Sequence, residues 1–138
     1  MNIIDNYPVI VTPDIAKCRE FYLELLHFEV VFEASWFIYL RHAGGNVGIA
    51  FMAPDHPSTP PGPETFSGSG AFLTLQVDDA AAEYERLKGL KGIFAYHLSD
   101  EPWGQRRFAL VDPSGLWLDI VQQTDPAPGF WDPYIGQQ

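Results

Sequence analysis

The sequence predicts an α+β fold: two βαβββ modules that form paired, partly open mixed sheets with helices on the outside. Three observations carry this. Two segments of helical period are each preceded by one strand-like apolar run and followed by three. Residues 6–14 align with 71–79 at an offset of 65, and 37–51 with 108–122 at an offset of 71. A Pro/Gly-rich stretch separates the halves. The six residues between the two offsets fall after the helix, where the loop near 98–105 is longer than the one near 34–36. Units that each leave an apolar face uncovered bury it by pairing.

Taken in order, strands are expected at 7–12, 28–34, 36–41, 46–52, 70–77, 93–98, 106–111 and 116–122. The first helix opens with Thr12 as N-cap, Pro13 at the first helical position and Asp14 near the positive end of the dipole. Ile15, Cys18, Tyr22, Leu25 and Leu26 form its apolar stripe. The second opens with Asp78-Asp79, carries Ala80, Tyr84, Leu87 and Leu90, and closes at Gly92 after Lys91. Turn clusters at His42-Ala43-Gly44-Gly45 and Asp112-Pro113-Ser114-Gly115 mark hairpins. The expected organisation is a first module at 1–52, a linker at 53–69, a second module at 70–123 and an aromatic tail at 124–138. The linker is too rich in proline and glycine for a ladder or a helix.

Composition bounds the function. The chain has 138 residues, with 8 Lys+Arg against 18 Asp+Glu and a net charge of -10. Nucleic-acid binding draws on clustered cations, which are scarce here, so no nucleic-acid partner is expected. There is no apolar run of about 18 residues, and so no expected membrane span. A lone Cys18 and the lack of a secretory leader point to a reducing, cytoplasmic setting. The acidity suits a cationic or neutral small partner, or serves solubility alone.

Chemistry-bearing motifs are few. No Gly-x-Ser-x-Gly, phosphate-cradling loop or dinucleotide fingerprint occurs. His27, His42 and His56 read as surface or capping groups, and His97 is retained as a possible pocket group. Cys18 lies on the apolar stripe of its helix and reads as an inert buried thiol.

The two βαβββ units, with Asp14 and Phe21-Tyr22, the segment 102–108, and Asp112-Pro113-Ser114-Gly115 leading into Asp119, resemble the vicinal oxygen chelate superfamily. This is the glyoxalase/bleomycin-resistance/extradiol-dioxygenase group, and the resemblance spans 5 to about 123. It implies four metal-ligand places in the metal-dependent members, which map here to Tyr7, Gly48, Phe72 and Asp119. Only Asp119 is an ordinary ligand for a divalent ion. No metal and no cofactor are therefore expected.

Strand alternation sorts the faces. Leu73, Leu75 and Val77, with Leu116, Leu118 and Ile120, are expected against the helices. Phe72, Thr74 and Gln76, with Trp117, Asp119 and Val121, are expected on the concave face, beside Gly48 and Ala50 of the first module. Tyr7, Phe37, Tyr39, Phe72, Phe108 and Trp117 then surround Asp119. Trp103 stands nearby, and Arg106 is either a ligand group or the partner that satisfies Asp119. Aromatic walls around few polar groups suit a small-molecule site, although the same rings can simply fill a sheet interior.

The leading expectation is a metal-independent binding protein for an aromatic or cationic drug-like molecule, similar to bleomycin-resistance proteins. That resemblance also implies a homodimer. The alternative is a metal-dependent lyase or dioxygenase with an atypical site around Asp119, His97 or Tyr7. A third reading makes 130–134 a docking segment for another chain.

Overall fold

The computed structural model describes residues 1–57, 64–90 and 92–135. Residues 58–63 of the expected linker, together with Lys91, lie outside them. The chain divides into two compact units, Met1–Ser69 with Asp112–Gly115, and Gly70–Val111 with Leu116–Gln138.

The first unit contains β1 (Val9–Val11), α1 (Ile15–Leu26), β2 (Phe28–Ala34), β3 (Phe37–His42) and β4 (Gly48–Met52). Its sheet runs β1-β4-β3-β2, with β1 parallel to β4 and the other pairs antiparallel. The helix begins later than the sequence suggests. Asp14 is the N-cap, and the Thr12 hydroxyl accepts the Asp14 N–H at 3.1 Å in a turn that precedes the helix. At the other end His27 adopts φ 59°, and its N–H bonds the Tyr22 carbonyl, a left-handed cap of the kind glycine usually supplies.

Cys18, Tyr22 and Leu26 recur every four residues and bury one stripe of α1. The Tyr22 ring meets Phe28 at 5.2 Å and Phe51 at 5.3 Å over a floor of Ile38, Leu40 and Ile49. Its phenol donates to Asp112 Oδ2 at 2.6 Å, and Asp112 Oδ1 accepts both the backbone N–H and the hydroxyl of Ser114. Burial, and then the Asp112 charge, push the Tyr22 phenol well above its ordinary pKa. The same two causes push the Cys18 thiol up to about 12.

The second unit repeats the plan with β5 (Phe72–Gln76), α2 (Ala80–Leu87), β6 (Phe94–Glu101), β7 (Gln105–Val111) and β8 (Trp117–Gln123). Its sheet runs β5-β8-β7-β6, and β5 pairs parallel to β8. Asp79 caps α2 by accepting the Ala82 N–H at 3.0 Å. This helix ends at Leu87, short of the expected Leu90. Tyr84 stacks on Phe94 at 4.3 Å and meets Phe108 edge-on, which anchors α2 to β6 and β7.

The segment near 98–105, expected as a loop, is largely strand. Strand β6 runs on to Glu101, and Pro102–Gly104 turns tightly into β7. Gly104 has φ +107°, and a Cβ there would lie 2.9 Å from the Thr124 carbonyl, so only glycine fits. The tail folds onto this turn: Thr124 N–H bonds the Gly104 carbonyl, Ala127 N–H bonds the Pro102 carbonyl, and a one-turn helix α3 (Asp132–Ile135) follows.

Two outcomes follow from the first unit's core. Tyr22→Phe removes a buried donor from Asp112 and lowers unfolding free energy by about 1–3 kcal/mol, read by urea denaturation. Cys18 stays unreactive toward a thiol reagent at pH 8 in the folded protein and reacts once the chain is unfolded.

Candidate functional site

The register between β7 and β8 determines what faces away from α2. Val111 pairs with Trp117, Ala109 with Asp119 and Arg107 with Val121, while Phe108 pairs with Ile120 and Arg106 with Gln122. Directly opposed residues project to the same face. Gln122 accepts the Ala80 N–H of α2 and Phe108 packs on Tyr84, so the even-numbered set lies on the helix side. Arg107, Asp119, Trp117, Phe72 and Thr74 share the open face.

Asp119 sits at the centre of that face, its side chain only 6% exposed. Arg107 Nη1 donates to Asp119 Oδ2 at 3.1 Å, and Arg107 Nη2 lies 3.5 Å from Glu101 Oε2. The guanidinium carbon is 5.3 Å from the Tyr96 ring and 5.1 Å from the Trp103 ring, inside cation–π range for both. Tyr96 donates to Glu101 Oε1 at 2.8 Å, and Trp103 Nε1 donates to Gln105 Oε1 at 2.8 Å. Two buried polar atoms, Arg107 Nε and Asp119 Oδ1, have no hydrogen-bond partner. Phe72 is 65% exposed, and Trp117 is partly open.

Trp103 is held from behind by the tail. Trp131 Nε1 donates to the Trp103 carbonyl at 2.9 Å, and Phe130 lies 6.4 Å from the Trp103 ring, centroid to centroid.

Several expected site residues are placed elsewhere. Phe108 is fully buried against Tyr84 and Phe94 on the helix side. Arg106 is not the partner of Asp119; it pairs with Asp100 at 2.7 Å, which lowers the Asp100 pKa and raises its own. His97 Nδ1 lies 2.7 Å from the Tyr84 hydroxyl and thus faces α2. For Phe108 and Arg106 the cause is a single residue. The 112–115 turn has Leu116 as a fifth member, so β8 starts at Trp117 and every side chain of β7 changes face relative to a four-residue turn. Counting outward from a buried Leu116 was the available signal for Arg107. Tyr96 and Glu101 had none, because register shifts interrupt the pairing of β6.

Trp103, Trp117, Phe72 and Asp119 are gathered on the second unit's open face. Tyr7, Phe37 and Tyr39 belong to the first unit. There Tyr39 donates to Asp5 Oδ2 at 2.6 Å and accepts from Arg41, whose Nη2 also donates to Asp5 Oδ1 at 2.7 Å. Tyr7 stacks on Tyr39 at 4.3 Å, and Phe37 lies two positions along β3 beside Trp36. Hydrogen bonds from Tyr39 and then Arg41 lower the Asp5 pKa from 3.8 to about 2. The Tyr39 ring occupies the space over Gly48, where an added Cβ would come within 2.9 Å of it.

A metal fits this donor set poorly. Phe72 offers no electron pair, and Gly48 has no side chain and no room for one. Asp119 is already engaged by Arg107. Pairing also makes Ala50 the counterpart of Asp119, because Val9 opposes Ala50 as Thr74 opposes Asp119; alanine is no ligand either. Among the described residues no three His, Cys, Asp or Glu side chains cluster.

Two four-stranded mixed sheets, each built from one βαβββ unit, define the architectural class. The chain belongs to the glyoxalase/bleomycin resistance protein/dioxygenase superfamily, whose family model matches residues 5–120. It is 32% identical over 123 residues to a bleomycin resistance protein of Klebsiella pneumoniae, covering 83% of this chain and 89% of the relative. Among solved structures, a glyoxalase/bleomycin resistance protein/dioxygenase from Nocardioides superposes with TM-score 0.72 and 22% identity, over 94% of this chain and 89% of that one. TnmS3, an antibiotic binding protein from Streptomyces sp. CB03234, superposes with TM-score 0.66 and 22% identity, over 89% and 100%. At such identities the two structures speak for the fold alone.

The Asp5 cluster gives a pH signature. A depressed carboxyl contributes stability above about pH 4 and loses it as pH falls through about 2. Side-chain carboxyl NMR is expected to give Asp5 a midpoint near 2, rising toward 3.8 in Tyr39→Phe.

Proposed function

We propose that the chain binds an aromatic or cationic drug-like molecule on the open face of its second sheet, without a metal ion, and does not transform it. The observation that carries this reading is Asp119: a buried carboxylate with one unpartnered oxygen, set among Tyr96, Trp103 and Trp117. A buried acceptor left short of a partner is costly unless something completes it, and aromatic rings beside it offer stacking area. The 32% identical relative named a bleomycin resistance protein gives the ligand class its direction. Metal independence is favoured by the poor donors at Gly48 and Phe72 and by the engagement of Asp119 with Arg107.

A homodimer is part of the proposal. Strand β2 is a sheet edge and leaves Val30, Val31 and Phe32 exposed, an apolar edge that a second copy would cover. A reducing cytoplasmic setting suits the unpaired Cys18.

The test is a fluorescence titration with bleomycin and a panel of planar cationic antibiotics. Saturable quenching that is lost in Trp103→Leu is the expected outcome. No quenching and no thermal shift across the panel would refute drug binding, and a stoichiometric transition metal lost in Asp119→Ala would refute metal independence.

A further inference from the structure

We propose that Arg107 is a displaceable plug: its guanidinium holds a cage formed by Asp119, Glu101, Tyr96 and Trp103, and a planar cationic ligand of amidinium or guanidinium type binds by taking its place. The inference rests on the reading of this face as a ligand site and names the chemistry that the site takes.

Three observations carry it. The cage is complementary to a flat delocalised cation, with rings at 5.3 and 5.1 Å from the guanidinium carbon and carboxylates at 3.1 and 3.5 Å from its nitrogens. Its formal charge is one cation against two anions, so it favours positive charge even when occupied. The occupancy is also imperfect. Arg107 uses a single Nη on Asp119, leaving its own Nε and Asp119 Oδ1 buried with no partner, whereas a fork presented end-on satisfies both carboxylate oxygens.

Mobility is unequally shared. Both residues lie on inner strands, but the Asp119 side chain is short and 6% exposed, while Arg107 is 28% exposed on a long side chain able to turn toward water. Displacement therefore exposes the arginine and leaves the cage in place. Arg107 sets the affinity threshold, because a cationic ligand competes with an internal guanidinium for the same carboxylates.

The experiment measures benzamidinium binding by tryptophan fluorescence and by thermal shift in the wild type, Arg107→Ala, Arg107→Met and Arg107→Ala/Asp119→Asn, with uncharged benzamide as control. Expected is about tenfold tighter benzamidinium binding in Arg107→Ala, loss of that gain in the double variant, and no gain for benzamide. Removing Arg107 leaves Asp119 buried without its cation, so benzamidinium is also expected to raise the melting temperature of Arg107→Ala; Arg107→Met, which keeps side-chain volume, serves if the alanine variant does not fold. Binding no tighter than wild type in both single variants overturns the proposal, as does a gain that persists without the Asp119 charge or extends to benzamide. Because the probe is not an antibiotic, a null antibiotic panel refutes the proposed function and leaves this result to stand or fall by itself.

Discussion

One pairing, Ala109 opposite Asp119, governs the chemistry of the second unit. It turns Arg107 toward the carboxylate and sends the adjacent Arg106 to the other side of the sheet, into an exposed ion pair with Asp100. The two arginines have the same chemistry and different surroundings. An exposed pair contributes little to stability, whereas a carboxylate as shielded as Asp119 is costly without a nearby cation. The register is pinned by what it buries: Phe108, Leu110, Leu118 and Ile120 all lose their contacts with α2 or the core if the strands slip by one.

The two units solve the same problem differently. Each sheet has one helix on one face, and its second face carries an arginine, a tyrosine and a carboxylate. In the first unit Arg41, Tyr39 and Asp5 close on one another, and the tyrosine ring fills the room left by Gly48. In the second unit the residue corresponding to Ala50 is Asp119, and the cluster of Arg107, Tyr96 and Glu101 stands around a charge that it meets only in part. Both Asp5 oxygens accept hydrogen bonds, whereas Asp119 Oδ1 has no partner. That difference, rather than the shared topology, is what the proposed ligand site on the second face rests on.

Much of the architecture was legible because it rests on repetition and punctuation. The repeated βαβββ order, the hairpin turns and the apolar stripe of Cys18, Tyr22 and Leu26 are all local patterns. The site was only partly legible. Phe72, Trp117 and Asp119 could be assigned to one face by alternation within their own strands, since alternation needs no knowledge of a partner. Arg107 required the exact length of a turn, and Leu116 looks like the start of a strand while acting as the end of a turn. Glu101 and Tyr96 required knowledge of the bulged pairing of β6, which no periodicity encodes. Asp5 lies before any regular element, so nothing in the pattern marked it as the partner of Tyr39.

The strap of residues 124–135 lends the molecule a remote adjustment. It contributes no strand to the sheet, yet its indole grips the main chain of Trp103 and its phenylalanine backs the ring that covers Arg107. Drift at Trp131 or Phe130 would loosen or tighten that ring while every group bordering the cage stays the same. The proposed cage is thus adjustable through residues that border none of it.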